Sequence, residues 1–378
     1  MQKKDRLGLR TWIEIDKGAI KANFGVFRGL IPKKVKMLGV VKSNAYGHNL
    51  FEFAKELERL GVDYLAVDSA VEGIALRREG VKIPILILGY TLPEMIEKIV
   101  DNDLEITVSN FEYFSVIKKL KLSEPIKIHI KVDTGMHRHG FQEKDIKKVI
   151  KLIKGNKKIE VVGLFTHFAN AKNPAFPKET KMQVELFNIW RQAFKKAGIN
   201  PICHACATSG TILFPEAHFD MVRIGIGLYG VWPSQETAAF AKDKFKLTPV
   251  LSWKTIIGEI NNIKAGEKIG YDFTEKIMID SKVAVLPIGY WHGYPRALSG
   301  IGQVLINGKQ AKVLGRICMD IIMVDITEIK GAKVGDEVTI IGSSGKEKVS
   351  IGDISSLIGG SDYEVMTTIN PLIKKIYK

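Results

Sequence analysis

The stretch Met37-Leu-Gly-Val-Val-Lys42-Ser-Asn-Ala-Tyr46-Gly47-His48 puts a primary amine at the end of an apolar run. Imine formation suits such an amine, because partial desolvation at a buried strand end leaves a usable neutral fraction. A bare lysine there could equally snorkel along apolar surface, so the reading depends on other residues. Lys127-Ile-His-Ile-Lys131-Val-Asp133 carries polar residues on one face and isoleucines on the other, and runs into Thr134-Gly-Met-His-Arg138-His-Gly140. Three further runs end in Thr166-His167, in Ala207-Thr208-Ser209-Gly210 and in Arg223-Ile-Gly225-Ile226-Gly227. Singly, His167 reads as a satisfied core histidine, Arg223 as an ion-pair partner, and Thr208 or Ser209 as a cap. Together they offer an imine-forming amine, cations, and hydroxyl and glycine N–H groups that could cradle a phosphate. That is the equipment of a pyridoxal phosphate site.

The elements that must position these groups follow a rhythm of apolar strand and amphipathic helix. Strands are expected at 37–42, 63–68, 84–89, 104–109, 126–133, 159–167, 202–208 and 221–228, with helices at 48–60, 70–79, 92–101, 110–120, 142–154 and 178–197. Lys17 to Leu30 also has helical spacing, and at most one helical turn fits after Ser209. Such alternation over about 210 residues predicts a closed (β/α)8 barrel of parallel strands, with the working residues at the carboxyl ends of the strands. An open doubly wound sheet is the other architecture, but no G-x-G-x-x-G follows the first strand. Beyond about Ser234 come short alternating runs broken by glycine, including an Ile306-Asn-Gly-Lys309 hairpin signal. The predicted division is an N-terminal strand (1–16) packing with the C-terminal domain, a barrel (17–240) and a β-rich domain (241–378).

With 378 residues, 46% hydrophobic content and a mean hydropathy near zero, the chain can bury large cores. It has no apolar run of about 18 residues and no apolar leader at its start, so no membrane span and a cytoplasmic location are expected. Its three cysteines, Cys203, Cys206 and Cys318, suit a reducing compartment as structural thiols. The single C-x-x-C lacks the second pair a metal site needs. The net charge of +15 is spread over helices without aromatic interleaving, which argues against nucleic-acid binding.

The chain resembles the alanine racemase family, pyridoxal phosphate barrels followed by a β domain. The resemblance runs from Arg10-Thr-Trp-Ile-Glu-Ile-Asp16 to the C-terminus. It rests on Val40–His48, Lys131-Val-Asp-Thr-Gly-Met136, Gly163-Leu-Phe-Thr-His-Phe168, Arg223–Gly230, Pro287-Ile-Gly-Tyr290 and Gly315-Arg-Ile-Cys-Met-Asp320. It implies a homodimer with shared active sites that interconverts L- and D-alanine and supplies D-alanine for peptidoglycan. By the same resemblance, Lys42 would bind the cofactor covalently and act as the base on one face of the substrate. Tyr46, Thr208 or Ser209, Gly225 and Ile226 would hold the phosphate. Arg223 would face the pyridine nitrogen, which an arginine, unable to release its proton, leaves unprotonated. Tyr271, from the partner subunit, would be the second base. A free phenol titrates near ~10, so it needs the help of His167 and Arg223. Arg138 would lie near the substrate carboxylate, Met319 and Asp320, also from the partner subunit, would line the substrate pocket, and Tyr290 would narrow its entrance. Lys131 beside Arg138 would put two buried cations in one barrel mouth; some members of the family carbamylate this lysine, and the resemblance implies the same here, with pairing to Asp133 or another carboxylate as the other outcome.

The chain departs from the family pattern at His137 and His139, at Trp291-His292, at Ala205-Cys-Ala-Thr208-Ser209, and at Thr368-Ile-Asn370-Pro371, where many relatives have a tyrosine. A racemase of serine or of several amino acids, and a non-catalytic pyridoxal phosphate barrel, are the competing readings. A barrel decarboxylase also shares the lysine site, but the residues flanking Cys318 are the racemase version.

Overall fold

Strand β1 (Thr11–Ile15) and helix α1 (Lys17–Leu30) open the computed structural model, which describes residues 8–378. Eight further strands follow: β2 (Lys36–Val40), β3 (Tyr64–Val67), β4 (Ile85–Ile87), β5 (Glu105–Val108), β6 (Ile126–Lys131), β7 (Ile159–Phe165), β8 (Ile202–His204) and β9 (Met221–Ile224). These eight form a closed barrel in that order, every neighbouring pair parallel, with β9 pairing back onto β2. This is the (β/α)8 barrel expected from the alternation. Its strands read as nearly unbroken apolar runs because helices cover the outside while side chains fill the inside. Tyr64–Val67 and Ile85–Ile87 are buried at every position.

The strands are shorter than the apolar runs suggest, and the difference matters at two ends. β2 stops at Val40, so Lys42 belongs to the loop. β8 stops at His204, and Thr208 opens a helix, Thr208–Leu213, followed by a 3₁₀ turn at Pro215–Ala217. That connection is longer than the single turn expected, because Ala205–Ala207 have already left the barrel wall.

The chain divides into two compact units. One holds Gly18–Ala45 and Leu50–Thr248, and so contains the barrel. The other joins β1 and Tyr46–Asn49 to Pro249–Lys378. Its ten-stranded sheet runs in the order Glu259–Ile263, Ser281–Leu286, Ile322–Asp325, Lys309–Leu314, Gln303–Ile306, Glu337–Ser344, Leu251–Ile256, β1 and Lys375–Tyr377, with Glu347–Val349 pairing alongside Glu337–Ser344. β1 is antiparallel to Leu251–Ile256 and parallel to Lys375–Tyr377, which ties the first described strand to the last. The Asn307-Gly308 hairpin has φ of 50° and 76° at its two central residues, the left-handed pair that an Asn-Gly turn accommodates. Two short helices, Ile351–Leu357 and Asp362–Thr367, accompany the strands.

Candidate active site

Lys42 stands at the start of an unusual turn. Ser43, Asn44, Ala45 and Tyr46 have φ of 56°, 55°, 51° and 50°, four left-handed non-glycine residues in a row before Gly47 at 84°. Each L-residue held there costs about 1–2 kcal/mol, so the turn persists only where its surroundings over-determine it. Ala45 N–H donates to the Val41 carbonyl at 2.9 Å. Asn44 N–H donates to Glu72 Oε1 at 3.2 Å, and Asn44 Oδ1 accepts from Leu50 N–H at 2.9 Å. The Lys42 amine donates to Asp68 Oδ1 at 3.2 Å, with the two side chains 38% and 55% exposed. A carboxylate therefore holds this amine, in place of the desolvation expected at a buried strand end. The early stop of β2 leaves the lysine in the loop, where water reaches it.

Inside the barrel, four polar side chains from β5, β6, β8 and β9 form one directed chain. The buried Arg223 Nη1 donates to His204 Nδ1 at 2.8 Å. His204 Nε2 lies 2.9 Å from His129 Nδ1, and His129 Nε2 lies 2.6 Å from Glu105 Oε2. Arginine only donates, so His204 must accept on Nδ1 and carry its proton on Nε2. The same logic makes His129 accept on Nδ1 and donate from Nε2 to the carboxylate. Burial first, then the charge of Arg223, holds His204 well below the usual histidine range, in keeping with a neutral ring. Gly163 makes room for the chain: a Cβ there would lie 1.9 Å from His129 Nδ1.

Arg223 Nη2 also donates to the Thr166 and Ala205 carbonyls, each at 2.8 Å, and to His167 Nδ1 at 3.2 Å. Burial and the nearby cations Arg223 and Arg138 keep His167 well below its ordinary value. Its loop is braced by the buried Gln183, which donates to the His167 carbonyl at 3.3 Å and to Thr134 Oγ1 at 3.2 Å, and accepts from Ala169 N–H at 2.9 Å. Burial pushes Arg223 itself down to about 10.

Lys131 ends β6 with its side chain buried. Burial first, then the charges of Arg138 and Arg223, pushes it down to about 7. Its partner is His139, whose Nε2 lies 2.9 Å from Lys131 Nζ. Asp133 does not pair with it; its Oδ1 accepts the N–H groups of Gly135, Met136 and His137 at 3.0, 3.0 and 3.1 Å. The carboxylate is consumed in shaping the turn that presents Arg138.

At the neighbouring strand ends, Thr208 and Ser209 are buried at the start of their helix. The Gly225 and Gly227 N–H groups both point at Thr208 Oγ1, at 3.2 and 3.5 Å. A hydroxyl and two N–H groups thus converge beside Ile226, and β9, which leads into Gly225, is hydrogen-bonded to β2, which leads into Lys42.

The other unit brings together loops far apart in sequence. Asp272 pairs with Arg316 at 3.0 Å, which fixes the Tyr271 turn to the Gly315–Asp320 loop. Tyr290 N–H donates to the Cys318 carbonyl at 3.1 Å and Trp291 N–H to the Met319 carbonyl at 2.9 Å. Asn370 Nδ2 donates to the Trp291 carbonyl at 3.0 Å. Tyr271, Tyr290, Trp291, Met319 and Asp320 are all exposed on these loops. Tyr46 instead packs its ring 6.0 Å from that of Tyr363, and burial pushes its phenol up.

Two family models match the chain, one described as alanine racemase, N-terminal domain, over residues 15–233, and one as alanine racemase, C-terminal domain, over residues 250–377. The chain belongs to the alanine racemase family. Members of this family are isomerases acting on amino acids. An alanine racemase of Methanococcus maripaludis is 41% identical over 370 residues, covering 97% of this chain and 98% of that protein. Alanine racemase 2 of Bacillus subtilis is 38% identical, covering 98% and 95%. Among solved structures, an alanine racemase of Clostridium difficile superimposes with a TM-score of 0.92 at 36% identity, covering 98% of this chain and 96% of that one. The Bacillus anthracis alanine racemase with bound L-Ala-P gives a TM-score of 0.92 at 34% identity, covering 98% and 95%.

Several side chains that shape this alanine racemase-family site were not singled out by the motifs. Asp68 and Glu72 lie in a stretch, Asp68-Ser-Ala-Val-Glu72, whose spacing signals only a helix start. Ser69 Oγ does accept from Glu72 N–H at 3.3 Å, but the Glu72 carboxylate reaches out of the helix. His129 was visible as part of a polar strand face. Glu105, His204 and Gln183 carried no distinguishing signal.

Proposed function

We propose that this chain is a pyridoxal phosphate-dependent alanine racemase that works as a homodimer with shared active sites. The observation that carries the reading is the convergence of the Lys42 amine, the Thr208–Gly225 cradle and the Arg223–His167 pair on the carboxyl ends of one barrel. The chemistry of the donor set fits the cofactor. Thr208 Oγ1 and the Gly225 and Gly227 N–H groups form a concentrated set of partners for phosphate oxygens. Ser209, Ile226 and Tyr46 complete the proposed phosphate contacts. Arg223, anchored by four hydrogen bonds, is the proposed partner of the ring nitrogen.

Pyridoxal phosphate, when bound, withdraws electrons and acidifies the Cα–H of an attached amino acid. Racemisation then requires proton exchange on both faces of Cα, hence two bases. Lys42 Nζ takes or returns the proton on one face, and the Tyr271 hydroxyl of a second copy serves the other. His167 assists: its Nδ1 accepts from Arg223, so its proton sits on Nε2. Arg138 orients the substrate carboxylate, while Met319 and Asp320 of the second copy line the substrate pocket and Tyr290 narrows its entrance. The exposed Tyr271, Tyr290 and Met319 loops support a dimer, since apolar side chains held out on braced loops mark an interaction surface. Lys131, buried beside cations and pushed down to about 7, has the neutral fraction that carbamylation requires.

The free thiols support action in a reducing, cytoplasmic compartment, where the product would serve peptidoglycan synthesis. The purified protein should be yellow, or turn yellow on adding pyridoxal phosphate, and should abolish the optical rotation of L-alanine. A colourless protein inert toward L-alanine after such loading refutes the proposal. A wider panel of amino acids tests whether Asn370-Pro371 broadens specificity.

A further inference from the structure

We propose that Glu72 is a positioning residue for Lys42, acting through the backbone of the left-handed turn. The inference rests on the reading of Lys42 as the cofactor-bearing amine. One carboxylate bridges two loops of the barrel mouth: Oε1 accepts from Asn44 N–H at 3.2 Å and Oε2 accepts from Asp68 N–H at 2.9 Å. Asn44 lies two residues after Lys42, and Asp68 is the residue that meets the Lys42 amine at 3.2 Å. Glu72 therefore holds Asp68 by its own main chain and Lys42 through the Asn44 main chain two residues on, and closes a ring of contacts around the pair.

The turn needs this brace. Four successive non-glycine residues, Ser43 to Tyr46, hold left-handed φ before Gly47, and relaxation of any one toward ordinary φ would shift the turn that carries Lys42. Ser69 frees Glu72 for the task. Its hydroxyl accepts the Glu72 N–H, so the helix Ala70–Arg78 is capped without the carboxylate. The two N–H donors also offset part of the Glu72 carboxylate charge.

The test compares the full-length wild type with Glu72→Ala and Glu72→Gln, using two readouts. Amide hydrogen exchange at Asn44 and Asp68 reads the clamp directly. Titration with pyridoxal phosphate, trapped by borohydride and mapped to Lys42, reads its consequence. In Glu72→Ala, exchange at both amides should quicken about ten-fold and half-saturation by cofactor should rise by a similar factor, as loss of charge-assisted bonds implies. The kcat for L-alanine should fall with little change in KM. Glu72→Gln keeps one accepting oxygen and should fall between. Wild-type exchange at both amides together with wild-type cofactor uptake in these variants overturns the inference. A wild type that takes up no pyridoxal phosphate overturns the functional reading instead, and the exchange measurement still decides the clamp.

Discussion

Arg223 and Glu105 do not touch, yet they are the charged ends of one buried chain, with His204 and His129 standing between them. The guanidinium imposes a direction on every proton in the chain, and the carboxylate receives the last one. The arrangement lets the barrel carry a buried cation at the proposed cofactor face while its counter-charge sits two rings away, on β5.

Removing the far end should therefore be felt as instability. Glu105→Ala leaves His129 Nε2–H without its acceptor and should cost about 1–3 kcal/mol, the price of an orphaned buried donor. Urea unfolding should give a lower midpoint with an unchanged slope. An unshifted midpoint would mean that water replaces the carboxylate.

Lys131 sets a pH dependence whose sign is fixed. Its folded value, about 7, lies below that of the unfolded chain, near ~10.4. Between those values the unfolded state binds the extra proton, so this group makes stability rise with pH by up to about 1.4 kcal/mol per unit. Below pH 7 its penalty is fully present. Lys131→Met should be more stable than wild type at pH 7 and should flatten the profile of urea midpoint against pH across that window.

The same neutral fraction should capture carbon dioxide. Wild type in ¹³C-bicarbonate at pH 8 should display a carbamate carbon resonance that is absent in Lys131→Arg. His139, 2.9 Å from Lys131 Nζ, is placed to donate to the carbamate once it forms, so His139→Leu should weaken the resonance. A wild-type spectrum without the signal assigns Lys131 a permanent pairing with His139.

Tyr271→Phe should keep the yellow Lys42-bound cofactor and lose racemisation by about 10²–10⁴-fold, the usual worth of a positioned acid or base. Tyr271 is 68% exposed and lies on a surface turn, so folding should be untouched. Equal thermal unfolding of the two proteins, alongside the activity loss, checks the assignment. Full activity in both directions would remove Tyr271 from the mechanism.

The barrel, the β-rich second region and most of the proposed site residues were legible in the chain itself. Burial on both faces makes parallel strands read as apolar runs, helices repeat on their own period, and strand ends mark where chemistry collects. Partnership was not legible. That Lys131 meets His139 and not Asp133, that Asp68 holds Lys42, and that Glu105 completes the line from Arg223 all depend on register and barrel closure, which bring side chains 8 to 75 residues apart to within a hydrogen bond. The left-handed run after Lys42 was not legible either, since its glycine, Gly47, comes only at its end. Local sequence encodes which residues are buried and where the chain bends; only the closed tertiary structure decides which charge each buried group must answer.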